Sequence, residues 1–516
     1  MKNLAAFAMV LVLGALAISM LTFGIGNVFT SPDEASGYQS MTWFAKTGNL
    51  YYTEKNAKLD IGNNLHSRSL LTIGNKIVPF NFLGLPVIYG AIYKFVGDNI
   101  RYINVIFLLA IIYSQLNILN ILTKRNKYNL LLASISILLN GTIIYYLNFP
   151  YFNATPALAL FSLALLFLIK YRHKPNNDFY LLISVFFAGL SLWFVYYWAL
   201  FYVYIYGFQF FSEFKIIKLK IPAYLLSLAI VTLVFLAPLF IFDKQLYGNP
   251  LTIGYSVFTK VYFYQERSSS IYQSIITYLF PSRILNIQTL LSNIVTSLFQ
   301  LSPIYFAVAY FGLIMLIKRF RKLIYFIPLV IWFILYNGTS DTYLSGSFEI
   351  SSAKAIVRYW LPLYFILSTS FSYFLIKQKK IIIVLILFCC LLSLPTTLKE
   401  LSYRREFLIQ YEKINNNYEK YIKHNSYILA PMSDKYLFQI AKPITWWQSY
   451  GEVDTFFQPT KLNYLITNLL RKHEFVYAQQ SSILNSIKMR LVLRSNLKDI
   501  RIVDDLYRIE LISGKK

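Results

Sequence analysis

Long apolar runs recur along the first 395 residues, and they constrain the fold of this chain more than any other feature. Of the 516 residues, 57% are hydrophobic, which is more than a soluble protein of this length needs to form its core. Runs of about 20 apolar residues are typical of helices that cross a lipid bilayer. The runs lie at 4–29, 81–97, 100–122, 129–148, 155–170, 179–194, 196–212, 222–242, 297–317, 323–336, 357–376 and 380–395. They predict an α-helical polytopic membrane protein.

Positive charge is grouped in short clusters between these runs. The formal net charge is +26, and the clusters lie at 124–127, 170–174, 215–220, 318–322 and 377–380. Lys and Arg concentrate in the cytoplasmic loops of membrane proteins. No nucleic-acid-binding motif surrounds this charge, so we expect no nucleic-acid partner. With the clusters inside, the run at 81–97, which contains Pro86 and Lys94, is expected to lie along the membrane or re-enter it. We predict about 11 to 13 transmembrane helices.

The N-terminal run resembles a signal peptide, because Ala15-Leu16-Ala17 is similar to a cleavage site. The run continues to about residue 29, however, which is too long for the apolar core of a signal peptide and suits a retained span. We therefore expect a first span over 4–29. It would deliver Asp33 and Glu34 to the extracytoplasmic face.

A change in composition after the last run divides the chain into two predicted domains. Residues 1–395 form the transmembrane domain, and residues 396–516 form a small extracytoplasmic α/β domain. The transmembrane domain carries predicted outer loops at 30–80, 243–296 and 337–356.

Local patterns predict structure inside the loops and the tail. In the first outer loop we expect a helix over 34–45 and a hairpin over 69–80 that turns at Gly74-Asn75. In the tail, short apolar stretches at 426–430, 474–478 and 505–512 alternate with a helical pattern at 461–470, as in an α/β domain.

The 23 acidic residues avoid the centres of the apolar runs. Ion-coupled transporters usually keep ionisable groups at membrane depth, so this pattern argues against them and leaves open a passive translocator. Asp33 and Glu34 instead stand at the expected end of the first span. There a carboxylate could act as a general base and nearby cations could stabilise a departing lipid phosphate. An equal alternative is that Pro32-Asp33-Glu34 simply starts a helix.

Four stretches carry a resemblance to a known family. SPDEASGYQ (31–39) resembles the acidic signature of the GT-C superfamily of polyprenyl-phosphate-sugar-dependent glycosyltransferases, which includes protein mannosyltransferases and aminoarabinose transferases. Residues 66–97, DKQLYGNPLTIGY (243–255) and SSAKAIVRYWLPLYFIL (351–367) are similar to later blocks in the same order. The resemblance implies a GT-C type fold in a membrane, and the Lys-, Asn- and Ile-rich composition suggests that the membrane is that of a prokaryotic cell. It also implies transfer of a sugar from an undecaprenyl- or dolichyl-type phosphate to an acceptor hydroxyl of a protein, lipid or glycan on the outer face.

The resemblance implies site residues as well. Asp33 and Glu34 would be catalytic, and Arg358 would face the lipid phosphate. Tyr38 matches the tyrosine that often follows the acidic motif in this family. By position and charge, and not from the resemblance, Arg68, Lys76, His66 and Arg267 are further candidates for donor binding. His66 also suits an ordinary hydrogen bond within the loop, and Arg267 suits an ion pair with the adjacent Glu266.

Two departures from the family pattern matter. The turn at 148–156 carries Asn153 where many members have a second carboxylate, which weakens a two-carboxylate metal site. The chemistry requires no cofactor, although Asp33 and Glu34 could hold a divalent metal. TWWQSYG (445–451) is similar to the W-W-D-Y-G motif of oligosaccharyltransferases, but Gln448-Ser449 replace the Asp, and an aromatic core patch explains it as well.

Two rival functions remain open from the sequence. One is oligosaccharyltransferase-like transfer from a lipid-linked oligosaccharide. The other is non-enzymatic translocation of a lipid or polysaccharide.

Overall fold

The computed structural model describes most of the chain between residues 14 and 512. The described residues are 14–15, 19, 21, 24–60, 64–79, 82–124, 126–175, 177–212, 221–250, 252, 254, 287–327, 330–331, 334–335, 355–392, 394–429, 434–444, 459–479, 497–504 and 506–512. Two compact units emerge. The helical unit contains Met1–Phe23, Arg101–Pro238 and Ser268–Tyr403, and the mixed unit contains Gly24–Ile100, Leu239–Arg267 and Arg404–Lys516.

Helices dominate the described residues. They are α1 Pro32–Thr47, α2 Gly90–Val96, α3 Asn104–Thr123, α4 Asn129–Leu138, α5 Gly141–Leu147, α6 Ala154–His173, α7 Asp178–Phe194, α8 Ala199–Ser212, α9 Ile221–Ile230, α10 Ala237–Tyr247, α11 Ile287–Val295, α12 Pro303–Arg319, α13 Ala355–Tyr359, α14 Leu361–Ile376, α15 Lys380–Leu391, α16 Leu394–Tyr418, α17 Asp434–Leu437 and α18 Pro459–Arg471. The strands are β1 Tyr52–Thr53, β2 Leu70–Ile73, β3 Lys76–Pro79, β4 Tyr427–Leu429, β5 Lys442–Ile444, β6 Val476–Gln479, β7 Leu497–Val503 and β8 Leu506–Leu511.

Several helices have the length and composition of membrane spans. Among the described residues, four helical stretches qualify: α3, α6, Pro222–Tyr247 and Lys380–Tyr418. Two bent pairs would raise the number to six, namely α4 with α5, bent by 73°, and Leu290–Gln300 with α12, bent by 94°. The polytopic helical architecture is therefore confirmed. The count of 11 to 13 concerns the whole chain and stays a prediction.

Buried polar side chains join the helices of the helical unit. Gln115 Nε2 donates to Ser136 Oγ at 2.6 Å and to Ser372 Oγ at 3.0 Å. Tyr305 OH donates to Ser368 Oγ at 2.8 Å. In an apolar environment no water is present to bond these polar side chains. The hydrogen bonds between helices satisfy them instead, and they fix which helices are neighbours.

The predicted first span, 4–29, extends too far. Residues 24–31 form an irregular segment rather than the last turns of a helix. Gly24 adopts a φ of +72°, a left-handed conformation common just beyond helix ends. The backbone then finds partners in the C-terminal part of the mixed unit. Gly26 N–H donates to Glu412 Oε1 at 2.8 Å, and Phe29 N–H donates to the Lys435 carbonyl at 3.2 Å.

The two predictions for the first loop are confirmed. Helix α1 covers the expected 34–45 and begins slightly earlier. Strands β2 and β3 pair antiparallel, with Ile73 opposite Lys76 across the Gly74-Asn75 turn, and β1 adds a third strand beside β3. The apolar run at 81–97 forms a π-helical turn, Leu85–Tyr89, followed by α2. At about 1.5 Å per residue this segment is too short to cross a bilayer alone.

The tail forms the predicted α/β domain. Its five-stranded sheet has the order β5-β4-β6-β8-β7. Strands β5, β4 and β6 are parallel, and β8 and β7 continue the sheet antiparallel. Helix α18 buries Leu462, Leu465, Ile466 and Leu469 in the core of this domain. Their spacing places all four on one face of the helix.

Candidate active site at the start of helix α1

Helix α1 begins with the acidic pair and with regular capping. Ser31 precedes the helix, and its Oγ accepts a hydrogen bond from the Asp33 N–H at 3.2 Å. Pro32 occupies the first turn, where its missing N–H costs nothing. Asp33 and Glu34 lie at the positive end of the helix dipole, which stabilises negative charge. The acidic pair therefore does start a helix, which both interpretations of the pair allow, and the capping fixes the position of both acids on the helix.

The Asp33 carboxylate is held by a serine that lies just before the second strand of the loop. Ser69 lies directly before β2, and its Oγ donates to Asp33 Oδ1 at 2.6 Å. Ser69 is buried, whereas Asp33 is partly exposed. A hydrogen bond from a neutral donor to a carboxylate favours the ionised form. Asp33 therefore combines solvent access with a fixed orientation.

Glu34 lies in a different environment from its neighbour. Its side chain is 3% exposed. Burial raises the pKa of Glu34 to about 8, an effect that the nearby positive charge of Arg404 opposes and the adjacent Asp33 reinforces. Near neutral pH Glu34 is thus largely protonated. Two adjacent carboxyl groups with separated environments are a recurring arrangement in acid–base sites.

Two basic side chains from the C-terminal part of the mixed unit flank Thr30, just before the acidic pair. Lys435 Nζ donates to the Thr30 carbonyl at 3.2 Å, and Arg404 Nη1 donates to Thr30 Oγ1 at 3.4 Å. The Lys435 ammonium group is surrounded by protein, although the side chain as a whole is partly exposed. This burial, with the nearby Arg68 charge, lowers the pKa of Lys435 to about 7.

The sequence analysis missed these partners. Arg404 stands in the YRRE stretch at 403–406, and Asp434-Lys435 follow the carboxyl end of β4. Residues beyond the carboxyl ends of parallel strands often form sites, and that signal could have pointed to Asp434 and Lys435.

Arg68 is engaged by a carboxylate of α17. Its Nη2 lies 2.8 Å from Asp434 Oδ1, and its backbone N–H donates to Asp434 Oδ2 at 2.6 Å. Lys76 stands at the turn end of the β2–β3 hairpin, whereas Ser69 precedes its other end, and Lys76 Nζ lies 4.2 Å from the centre of the Tyr51 ring. The structure thus places Arg68 next to the Asp33–Ser69 contact and Lys76 at the far end of the hairpin.

His66 and Tyr38 belong to separate local networks. His66 is buried, with Nδ1 at 2.7 Å from the Ser67 carbonyl, as an ordinary loop hydrogen bond would place it. Tyr38 lies one turn after Glu34 on α1. Its hydroxyl accepts from Asn27 Nδ2 at 2.8 Å and donates to Asp98 Oδ1 at 3.0 Å.

Two candidates remain, Arg358 and Arg267. Arg358 belongs to the helical unit, where its Nη2 donates to Tyr359 OH at 2.8 Å and its guanidinium lies 5.5 Å from the centre of the Phe152 ring. Arg267 and the stretch 445–451 fall outside the described residues.

Asp33 and Glu34 are the two carboxyl groups at which a divalent metal is possible. Among the described residues, no group of three or more His, Cys, Asp or Glu side chains lies together as metal ligands would. Hard cations such as Mg²⁺ and Ca²⁺ take carboxylate oxygens as ligands, so these two side chains are the ones that would hold such a metal.

Comparisons with known proteins identify the fold. No protein-family model matches the chain, and no curated protein matches it. Among solved structures, the chain is similar to the crystal structure of ArnT from Cupriavidus metallidurans bound to undecaprenyl phosphate. The chain has the GT-C fold. The TM-score is 0.50 at 11% identity, and the likeness covers 99% of this chain and 98% of ArnT. The GT-C type architecture expected from the sequence is therefore confirmed over the whole length.

Proposed function

We propose that this protein is an integral-membrane glycosyltransferase. It transfers a sugar from a polyprenyl phosphate to an acceptor hydroxyl on the extracytoplasmic face of the membrane. The observation that carries the proposal is the arrangement at the start of α1. There a partly exposed carboxylate, Asp33, is oriented by Ser69, and two basic side chains, Arg404 and Lys435, lie close by. The GT-C fold supports it, since ArnT has this fold and binds undecaprenyl phosphate.

Asp33 serves as the general base. It accepts the proton of the acceptor hydroxyl while the oxygen attacks the anomeric carbon of the donor sugar. The bond between that carbon and the phosphate oxygen breaks, and its electron pair leaves with the phosphate. One direct displacement inverts the configuration at the anomeric carbon. The protonated Glu34 adds no second negative charge beside Asp33, so the acceptor can approach a single carboxylate.

The departing phosphate needs positive charge. Arg404 and Lys435 are the basic groups that flank the acidic pair, and a phosphate near Lys435 would favour its charged form. Arg68 lies close as well, but Asp434 already offsets its charge. Arg358, expected from the family resemblance to face the lipid phosphate, remains a further candidate. Cations aimed at developing negative charge lower the barrier to departure.

The test measures transfer by purified protein in lipid nanodiscs. Radiolabelled polyprenyl-phosphate sugars serve as donors and a membrane extract serves as acceptor. Asp33→Asn should reduce transfer by about 10²- to 10⁴-fold, the usual contribution of a general base. Asp499→Asn, which neutralises an exposed carboxylate on β7, is the matched control and should transfer at the wild-type rate.

Two outcomes would overturn the proposal. The first is that Asp33→Asn transfers label as fast as the wild type. The second is that the wild type carries labelled lipid across a liposome membrane and forms no glycosidic bond, which would identify a translocator. Transfer restricted to acceptor peptides bearing a glycosylation sequon, from lipid-linked oligosaccharide alone, would replace the proposed donor class with that of an oligosaccharyltransferase.

A further inference from the structure

Ser69 combines a strained backbone with a hydrogen bond to the proposed base. Its φ is +66°, in the left-handed region that glycine adopts freely and that other L-residues adopt at a cost. At the same position its Oγ donates to Asp33 Oδ1 at 2.6 Å. Glycine would satisfy the backbone but could not make this bond. Position 69 therefore carries a serine although its backbone conformation alone would favour glycine.

The two residues before Ser69 in the chain hold this strained position. The Arg68 N–H donates to Asp434 Oδ2 at 2.6 Å, and the Arg68 guanidinium bonds the other carboxylate oxygen. Ser67 Oγ accepts from Gln39 Nε2 of α1 at 2.9 Å, which ties the segment to the helix that carries Asp33. Strained residues persist where such surroundings over-determine them, and they cluster at functional sites.

We propose that Ser69 is a positioning residue for Asp33. Its hydroxyl holds one carboxylate oxygen and thereby fixes the orientation in which Asp33 meets the acceptor, while Asp434 anchors the backbone that presents this hydroxyl. The proposal rests on the proposed function, because orientation of the carboxylate matters only when Asp33 takes a proton. When the base is already held in the reactive orientation, less of the activation free energy goes into reaching that orientation.

A merely structural role for Ser69 makes the opposite prediction for glycine. In Ser69→Gly the backbone strain disappears, and the hydroxyl is lost from a carboxylate that water can still reach. If Ser69 served folding alone, this variant would melt below the wild-type temperature and keep the wild-type kcat. If Ser69 positions Asp33, stability and activity should separate.

The experiment compares Ser69→Gly with Thr72→Val in the transfer assay. Ser69→Gly should melt at or above the wild-type temperature. Its kcat should fall about 10- to 100-fold, as for the loss of a hydrogen bond to a charged group, with little change in the KM for acceptor. The acidic limb of its pH–activity profile should move to higher pH, because the ionised base has lost a donor. Thr72→Val loses the hydrogen bond from Thr72 Oγ1 to Asp60 Oδ2 at 3.1 Å in the same hairpin without touching Asp33, so it should melt lower and keep kcat and the pH profile.

A double variant separates this proposal from the proposed function. In the Asp33→Asn background, Ser69→Gly should cause no further loss, because the group that it positions is gone. Wild-type kcat and pH profile in Ser69→Gly, with Asp33→Asn inactive, would overturn the positioning role and leave the proposed function intact. Wild-type activity in Asp33→Asn would overturn the proposed function itself. If Ser69→Gly does not fold, Ser69→Cys keeps the size of the side chain, donates only weakly, and gives the same readouts.

Discussion

Arg68 and Asp434, 366 residues apart in the sequence, are joined by hydrogen bonds from both the backbone and the side chain of the arginine. Asp434 Oδ2 accepts from the Arg68 N–H, and Oδ1 accepts from the guanidinium Nε at 3.0 Å and Nη2 at 2.8 Å. The Asp434 side chain is fully buried, and that of Arg68 is 11% exposed. Both oxygens of a buried carboxylate are therefore satisfied by one residue of the loop that presents Ser69.

Removal of this carboxylate should destabilise the mixed unit strongly. In Asp434→Ala the Arg68 guanidinium stays buried without its counter-charge, and such losses cost about 3–5 kcal/mol in free energy of unfolding. Denaturant unfolding followed by tryptophan fluorescence measures it. Glu510→Ala is the matched control. The Glu510 side chain is 30% exposed, and its two partners, Lys498 and Arg508, are 51% and 39% exposed, so each of these pairs should contribute less than about 1 kcal/mol. If both variants lost the same free energy of unfolding, the buried Arg68–Asp434 pair would contribute no more to stability than an exposed pair.

Substitution of Gly312 by a residue with a side chain should destabilise the contact between α12 and α14. A Cβ added to Gly312 would overlap the Ser370 carbonyl of α14, so Gly312→Ala must push the two backbones apart. Overpacking of this kind costs about 1–3 kcal/mol, seen as a lower melting temperature. Gly207→Ala is the control, since its Cβ would meet nothing within 4 Å. There alanine should stabilise α8 by about 0.5–1 kcal/mol. A melting temperature of Gly312→Ala equal to that of the wild type would contradict the close approach.

Much of the fold could be predicted because burial leaves a periodic pattern in the sequence. The apolar spacing of residues 461–470 predicted helix α18, and the Gly74-Asn75 turn predicted the β2–β3 hairpin. The same pattern failed at residues 24–29, which are apolar and yet irregular. Hydrophobicity reports what is buried, but it does not report where backbone hydrogen bonds go, and here Gly26 bonds Glu412.

The acidic residues of the site could be predicted from the sequence, but the basic residues around them could not. Asp33 and Glu34 stood out because two adjacent carboxylates follow an apolar run. Arg404, Asp434 and Lys435 lie in stretches whose composition is ordinary, and their proximity to the acidic pair depends on pairing across more than 360 residues. A single sequence carries no pairing information over that distance, so the cations around the site had to come from the structure.

Transfer should not depend on a divalent metal. The proposed mechanism meets the charge of the departing phosphate with Arg404 and Lys435, and no step uses a metal. A catalytic metal usually supplies several kcal/mol of transition-state stabilisation, so its removal would cost about 100-fold or more. We expect EDTA to change the transfer rate by less than about twofold. A large loss on chelation that Mg²⁺, Mn²⁺ or Zn²⁺ restores would place a metal at the site after all.

Glu34 should make the stability of the protein fall as pH rises toward 8. Its pKa is raised from the ordinary 4.5 to about 8 by burial, so between these values the folded state keeps a proton that the unfolded state has lost. A state that binds more protons is weakened as pH rises, here by at most about 1.4 kcal/mol per pH unit. Glu34→Gln stays neutral at every pH, so its melting temperature relative to wild type should increase from pH 5 to pH 8 and then level off. Glu419→Gln, at an exposed position, should show a constant difference. A constant difference for Glu34→Gln as well would mean that Glu34 is ionised in the folded protein throughout this range, and the division of roles between the two acids would fail.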